Sequence, residues 1–155
     1  MNDEQKRAHV IVTNHLDATL AGWNPGQLLM MVVGTGETGK TMMLNMITAS
    51  FEKKRASHLL KNMAMSGVAA SLVGGTTLHW FAGIPPQAIP QSDVWPNNSS
   101  KSIKDCRKNN IQNMAWLAID KIGMCASDVL TLLSQVCGKV RETIVRPAQR
   151  FCLEA

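Results

Sequence analysis

Hydrophobic and polar positions along this chain follow two spacings, and the switches between them mark its elements. Ala8, Ile11, His15 and Leu16, then Thr19 and Leu20, keep the three-to-four-residue spacing of one helix face. Asn2 followed three residues later by Gln5 has the form of a capping box opening that helix. Gly22, Asn24, Pro25 and Gly26 break the pattern, and Gln27–Val33 reads as a short apolar strand of the kind buried on both faces of a parallel sheet. After a glycine-rich turn, Lys40–Lys54 returns to helical spacing with Met43, Ile47 and Phe51 on one stripe. Leu59–Met65 reads as a second strand and Lys101–Gln112 as a helix with a charged outer face. Ala115–Ile119 is another short apolar strand, and Ala126–Val140 a helix turning Val129, Leu132, Leu133 and Val136 inward. Pro85–Ser100, rich in Pro, Asn, Gln and Ser, reads as a surface loop. Strands alternating with helices predict an α/β fold with a mostly parallel sheet.

Composition narrows this picture. A length of 155 residues fits one domain, and a chain of that size buries about 70% of its unfolded surface without a staple. The 45% hydrophobic and 17% charged fractions exclude a disordered or fibrous polymer. No uninterrupted apolar stretch is longer than Leu28–Val33, which falls far short of the roughly 18 residues of a spanning helix. Residues Met1–Arg7 lack the apolar core of a secretory signal, and their early acids argue against a mitochondrial transit peptide. A protein neither secreted nor membrane-bound is expected. Cys106, Cys125, Cys137 and Cys152 form no Cys-x-x-Cys pair and have no His at finger spacing, which fits thiols in a reducing compartment. The net charge of +5 permits a nucleic-acid partner without demonstrating one. Two basic runs, Lys53, Lys54, Arg55 and Lys61, then Lys101, Lys104, Arg107 and Lys108, read first as solvated faces and second as DNA contacts.

The strongest chemical signal is Gly34-Thr35-Gly36-Glu37-Thr38-Gly39-Lys40-Thr41, which fits G-x-x-x-x-G-K-[ST] at every fixed position. Glycines let the backbone fold round phosphates and aim successive N–H groups inward, and the following helix adds the positive end of its dipole. Lys40 is placed to reach the β- and γ-phosphates of ATP, and the Thr41 hydroxyl to hold Mg²⁺. Such a loop needs a second carboxylate near the end of a neighbouring strand, and Trp116-Leu117-Ala118-Ile119-Asp120 supplies one in Asp120. The next position commonly carries a Glu that activates the attacking water. Here it is Lys121.

With these residues in hand, the chain resembles the first motor domain of the petite-integration-frequency DNA helicases, superfamily-one motors that move five-prime to three-prime and have many fungal copies. Asn2-Asp3-Glu4-Gln5 is similar to the family's adenine-reading element, which assigns base recognition to Gln5 by resemblance; Gln5 as a capping-box member remains the alternative. Residues 66–84, Ser66-Gly67-Val68-Ala69-Ala70 through Gly75-Thr76-Thr77-Leu78-His79-Trp80-Phe81 to Gly83-Ile84, resemble the family's paired single-strand-binding motifs. By resemblance Ser66, Gly67, Thr76, Thr77, His79 and Phe81 contact single-stranded DNA. Small residues and hydroxyls let a backbone approach phosphates, and His79, Trp80 and Phe81 offer flat faces for bases. For Trp80 and Phe81 a core position on a short helix is the competing reading.

The resemblance implies a RecA-like P-loop domain, incomplete as a motor: the first of two motor domains, with the second absent from this chain. Residues 1–26 carry the adenine-motif helix, 27–84 the phosphate loop and DNA-contact motifs, 85–113 a variable loop, and 114–155 the Mg²⁺-binding strand and following helix. It implies an ATP- and Mg²⁺-dependent helicase of DNA repair, recombination and telomere maintenance, located in the nucleus or mitochondrion. Three positions depart from the family pattern. Glu37 replaces a loop glycine, and an opposed unit charge ~4 Å from a phosphate costs about 4 kcal/mol at an effective dielectric near 20. Lys121 replaces the catalytic Glu, and Trp80 a small residue. The first two predict binding with weak or absent hydrolysis, and leave a non-catalytic nucleotide- or DNA-binding remnant as the alternative.

Overall fold

A computed structural model describes residues 3–34, 39–84, 100–143 and 152–154, with side chains for all of these except 142, 143 and 152–154. Asn2, Thr35 to Thr38 (Glu37 among them), and residues 85–99 of the expected loop lie outside the described residues. The chain runs through α1 (Asp3–Leu20), β1 (Leu29–Met31), α2 (Lys40–Lys53), β2 (Leu60–Ala64), α3 (Gly67–Leu72), β3 (Thr76–Thr77) and α4 (Leu78–Ala82). It continues with α5 (Lys101–Ile111), β4 (Trp116–Asp120), α6 (Ser127–Thr143) and β5 (Cys152–Glu154). The five strands form one sheet in the order β1-β5-β4-β2-β3, and every pair is parallel. Parallel neighbours require crossovers, and the helices supply them.

Side-chain alternation divides the core into two layers. Trp116 and Ala118 of β4, with Leu60 of β2, face α1 and α2. Leu117 and Ile119, with Met63, face α4, α5 and α6. On the first face the buried stripe of α1 is Ala8, Val12 and Leu16, spaced four apart, rather than the expected Ile11 and Leu20, which are exposed. That stripe packs on Met43, Leu44, Ile47 and Phe51 of α2, each such side chain contributing about 1.5–3 kcal/mol by burial. Trp116 anchors the layer, with its ring edge-on to Phe51 at 5.2 Å and to His15 at 5.8 Å. His9 Nε2 meets Ser50 Oγ at 2.8 Å, and Lys54 pairs with Asp17, so α1 is tied to the C-terminal end of α2.

On the opposite face, Leu132, Leu133 and Val136 of α6 turn inward as their spacing predicts. Arg107 does not follow the reading of a solvated basic run. It is buried, with Nε donating to the Ala82 carbonyl at 2.8 Å and Nη2 to Gly83 at 3.2 Å, while Asn110 Nδ2 donates to Phe81 at 3.1 Å. Burial lowers its pKa, and the neighbouring Cys106 opposes that shift. These bonds hold the end of α4, where Gly83 takes a left-handed conformation at φ 59°.

The strand at 27–33 is a correction. It is three residues long and covered on one face only: Leu28, Met30 and Val32 pack against the α1/α2 layer, while Leu29, Met31 and Val33 are exposed. The second helical layer packs over β4 and β2, and no residue of β1 joins its core among the described residues.

Candidate nucleotide and single-strand site

The sheet register lines up the candidate residues along one edge. Asp120 pairs with Ala64, and Ala64 with Thr77, so these three form one row across β4, β2 and β3. In the row before it, Met31 pairs with Glu154, Glu154 with Ile119, and Ile119 with Met63. Because parallel strands share an exit edge, the turns after β1, β2, β3 and β4 all leave on the side where ligands of open α/β sheets bind. At ~4.8 Å per strand, Asp120 and Thr77 stand about 10 Å apart along the row.

Gly34 follows β1 and its carbonyl accepts a hydrogen bond from Lys40 Nζ at 2.7 Å, so the lysine arches back over the start of the loop. Gly39 precedes α2 with φ 78°, a left-handed conformation in which other residues are strained. A Cβ there would lie 3.1 Å from Gln5 Nε2, which places the Gln5 amide against the last turn of the loop. The α1–α2 packing is what delivers it: α1 lies along the helix that the loop opens. Among the described residues no side chain caps α2, whereas Ser66, Thr77 and Ser100 cap α3, α4 and α5. A helix start of this kind suits an anion.

Asp120 ends β4 and is 1% exposed, and its Oδ2 has no hydrogen-bond partner among the described residues. Alternation from Trp116 and Ala118 turns it to the α2 face, where Thr41 opens the helix. A buried carboxylate oxygen without a donor is costly to a fold and apt for a cation. The donor set, hydroxyl and carboxylate oxygen, suits Mg²⁺, so the residues fit the ion. Lys121 follows at φ 58° with its side chain exposed.

The second cluster lies beyond β2 and β3. Ser66 Oγ accepts from the Ala69 N–H at 3.2 Å and Thr77 Oγ1 from the Trp80 N–H at 3.4 Å. Each hydroxyl keeps its own proton to donate. Ser66, Gly67 and Thr76 are exposed, and Thr77 and His79 half-buried. Phe81 is a correction: at 2% exposure it packs with Leu78 and Ile119 and presents no face to a base. Its neighbour Trp80, which spacing alone left between core and contact, is 59% exposed. Gly75 shapes the approach, since a Cβ there would meet the Asn62 carbonyl oxygen at 2.2 Å. Asn62 Nδ2 bonds Thr48 Oγ1 and the Val73 carbonyl, both at 2.8 Å, and so ties β2 to α2 and to the end of α3. Gly75 belongs to the motif quoted from sequence, whereas Asn62 carries no motif signature for its role.

Comparison with known proteins settles the family. The model of the PIF1-like helicase family matches residues 1–151. The chain belongs to the PIF1-like helicase family. It is 28% identical over 114 residues to the ATP-dependent DNA helicase Pif1 of Psychrobacter sp. (strain PRwf-1), covering 73% of this chain and 16% of that protein. It is 39% identical over 75 residues to the ATP-dependent DNA helicase PIF1 of Danio rerio, covering 48% of this chain and 10% of that one. The Bacteroides Pif1 helicase solved in complex with ADP-AlF3 and ssDNA superposes with a TM-score of 0.63 at 22% identity, covering 99% of this chain and 32% of that chain. This likeness is one of fold, and the fold is that of a RecA-like domain. This PIF1-like chain therefore spans a small part of the length of its relatives. No described helix is long and apolar enough to cross a membrane.

Proposed function

We propose that this PIF1-like chain is the ATP-binding portion of a 5′–3′ DNA helicase, and that it binds Mg²⁺–ATP more readily than it hydrolyses it. The observation that carries the proposal is the buried, donor-less Oδ2 of Asp120 on the α2 face. In this reading Gly34, Thr35, Gly36, Glu37, Thr38, Gly39, Lys40 and Thr41 bind the phosphates of ATP. Lys40 exchanges its bond to the Gly34 carbonyl for the β- and γ-phosphates. Gln5, held against Gly39, hydrogen-bonds the adenine. Thr41 and Asp120 hold Mg²⁺, which when bound neutralises phosphate charge. Lys121 occupies the general-base position with the wrong charge, so the attacking water lacks a proton acceptor there.

The strand-binding half of the proposal assigns Ser66, Gly67, Thr76, Thr77 and His79 to the DNA backbone. Two capping hydroxyls with O–H protons still to donate, on the sheet edge that carries the loop, support it. The crystallised Bacteroides relative is described with both ADP-AlF3 and ssDNA. Unwinding in repair, recombination or telomere maintenance, and a nuclear or mitochondrial location, belong to the same proposal and need a second motor domain to contribute transition-state arginines. The test is ATP affinity and turnover with and without single-stranded DNA. Saturable Mg²⁺-dependent ATP binding with slow turnover supports the reading. Preferential GTP binding unaffected by DNA would sink it.

The charge reversal at Lys121 also favours a second reading, a non-catalytic nucleotide- or DNA-binding remnant. Introducing Lys121→Glu together with Glu37→Gly, beside a supplied second domain, separates the two. Recovery of DNA-stimulated ATPase supports the motor, and no recovery the remnant.

A further inference from the structure

The α4 helix presents one large aromatic side chain outward. Leu78, Phe81 and Ala82 are buried in the layer shared with α5 and α6, and they fix the helix against the sheet. Trp80 is 59% exposed. Its backbone is held at both ends: its N–H donates to Thr77 Oγ1, and its carbonyl accepts from the Gly83 N–H at 3.1 Å. Arg107 and Asn110 clamp the carbonyls of the residues that follow. An indole displayed on a clamped turn loses little further backbone freedom when a flat partner stacks on it. The same turn begins with Thr77, whose hydroxyl retains a proton for a phosphate oxygen.

From this placement we infer that Trp80 is a base-stacking platform for single-stranded DNA, resting on the strand-binding reading above. Its neighbours Thr76, Thr77 and His79 are assigned above to the sugar–phosphate chain, and contacts of that kind are indifferent to the bases. Trp80 adds a contact that requires a base to be present. Base–aromatic stacking is worth about 1–3 kcal/mol per base, or roughly 5- to 150-fold in affinity. The interaction tolerates any base, because every base has a π-face.

The test compares the whole chain with its Trp80→Ala and Trp80→Phe variants on two oligonucleotides, an oligo-dT and the same strand with abasic central positions, across a salt series. The wild type is expected to bind the abasic strand at least about fivefold more weakly. Trp80→Ala binds both strands alike, at the abasic level, while Trp80→Phe restores most of the contrast. The slope of affinity against salt stays the same in all three, because the phosphate contacts are intact. An unchanged melting temperature of Trp80→Ala distinguishes a lost contact from a damaged fold. A wild-type base contrast in Trp80→Ala overturns the stacking role and leaves strand binding standing. Failure of the wild type to bind either strand overturns strand binding and the stacking role with it.

Discussion

At Asp120 the interests of the fold and of the site diverge. Its Oδ2 is buried without a donor among the described residues, and a carboxylate in that position costs folding free energy unless a cation meets it. Asp120→Asn keeps the shape and removes the charge. In Mg²⁺-free buffer its urea midpoint should rise, by the equivalent of about 1 kcal/mol or more, while the Mg²⁺ dependence of ATP affinity disappears. One position along, Lys121 is a non-glycine residue at φ 58°. Lys121→Gly should stabilise the chain by about 1 kcal/mol in the same unfolding measurement. Lys121→Glu should leave the midpoint alone and raise single-turnover ATP hydrolysis by a factor on the order of 10². Asp120 and Lys121 stand out in sequence because an apolar strand ending in Asp accompanies a phosphate-loop motif. The solvent exposure of Trp80 and the burial of Phe81 were not legible there, because adjacent residues on a five-residue helix differ by 100° of rotation and only packing decides which turns inward.

At the scale of elements, α2, α5, α6 and the short strands β2 and β4 stand close to where they were read, whereas the inward stripe of α1 and the faces of β1 do not. The α2 stripe of Met43, Ile47 and Phe51 and the inward face of α6 stand where their spacing places them. The helices α3 and α4 have six and five residues, too few for a periodicity to emerge, and each is defined instead by a Ser or Thr cap. Arg107 looked like part of a solvated run because charge is visible in sequence and burial is not. Removing it as Arg107→Ala leaves the carbonyls of Ala82 and Gly83 without their donor and should cost about 2–4 kcal/mol. Hydrogen exchange should accelerate selectively at the α4 amides in that variant. Gly75→Ala drives a Cβ into the Asn62 backbone and should cost at least about 2 kcal/mol by urea denaturation.

For the whole molecule, a parallel sheet between two helical layers brings the loop, Asp120 and the capped turns to one edge. The expectation that β1 would be covered on both faces failed for a tertiary reason. Apolar residues on both sides of a strand announce two buried faces, yet Leu29, Met31 and Val33 are exposed. Sequence pattern cannot say which segment supplies the cover. The α/β fold with a parallel sheet was legible from strands alternating with helices, and its RecA-like form was implied by the family resemblance that the ordered motifs carry.

The account stands on nucleotide binding by this chain, and equilibrium titration with Mg²⁺–ATP, run in parallel on the wild type and Lys40→Ala, tests it most directly. It predicts saturable binding by the wild type that falls at least about tenfold, close to 1.4 kcal/mol, when the lysine ammonium is removed. Equal affinity in the two proteins, or no binding by either folded chain, would contradict it.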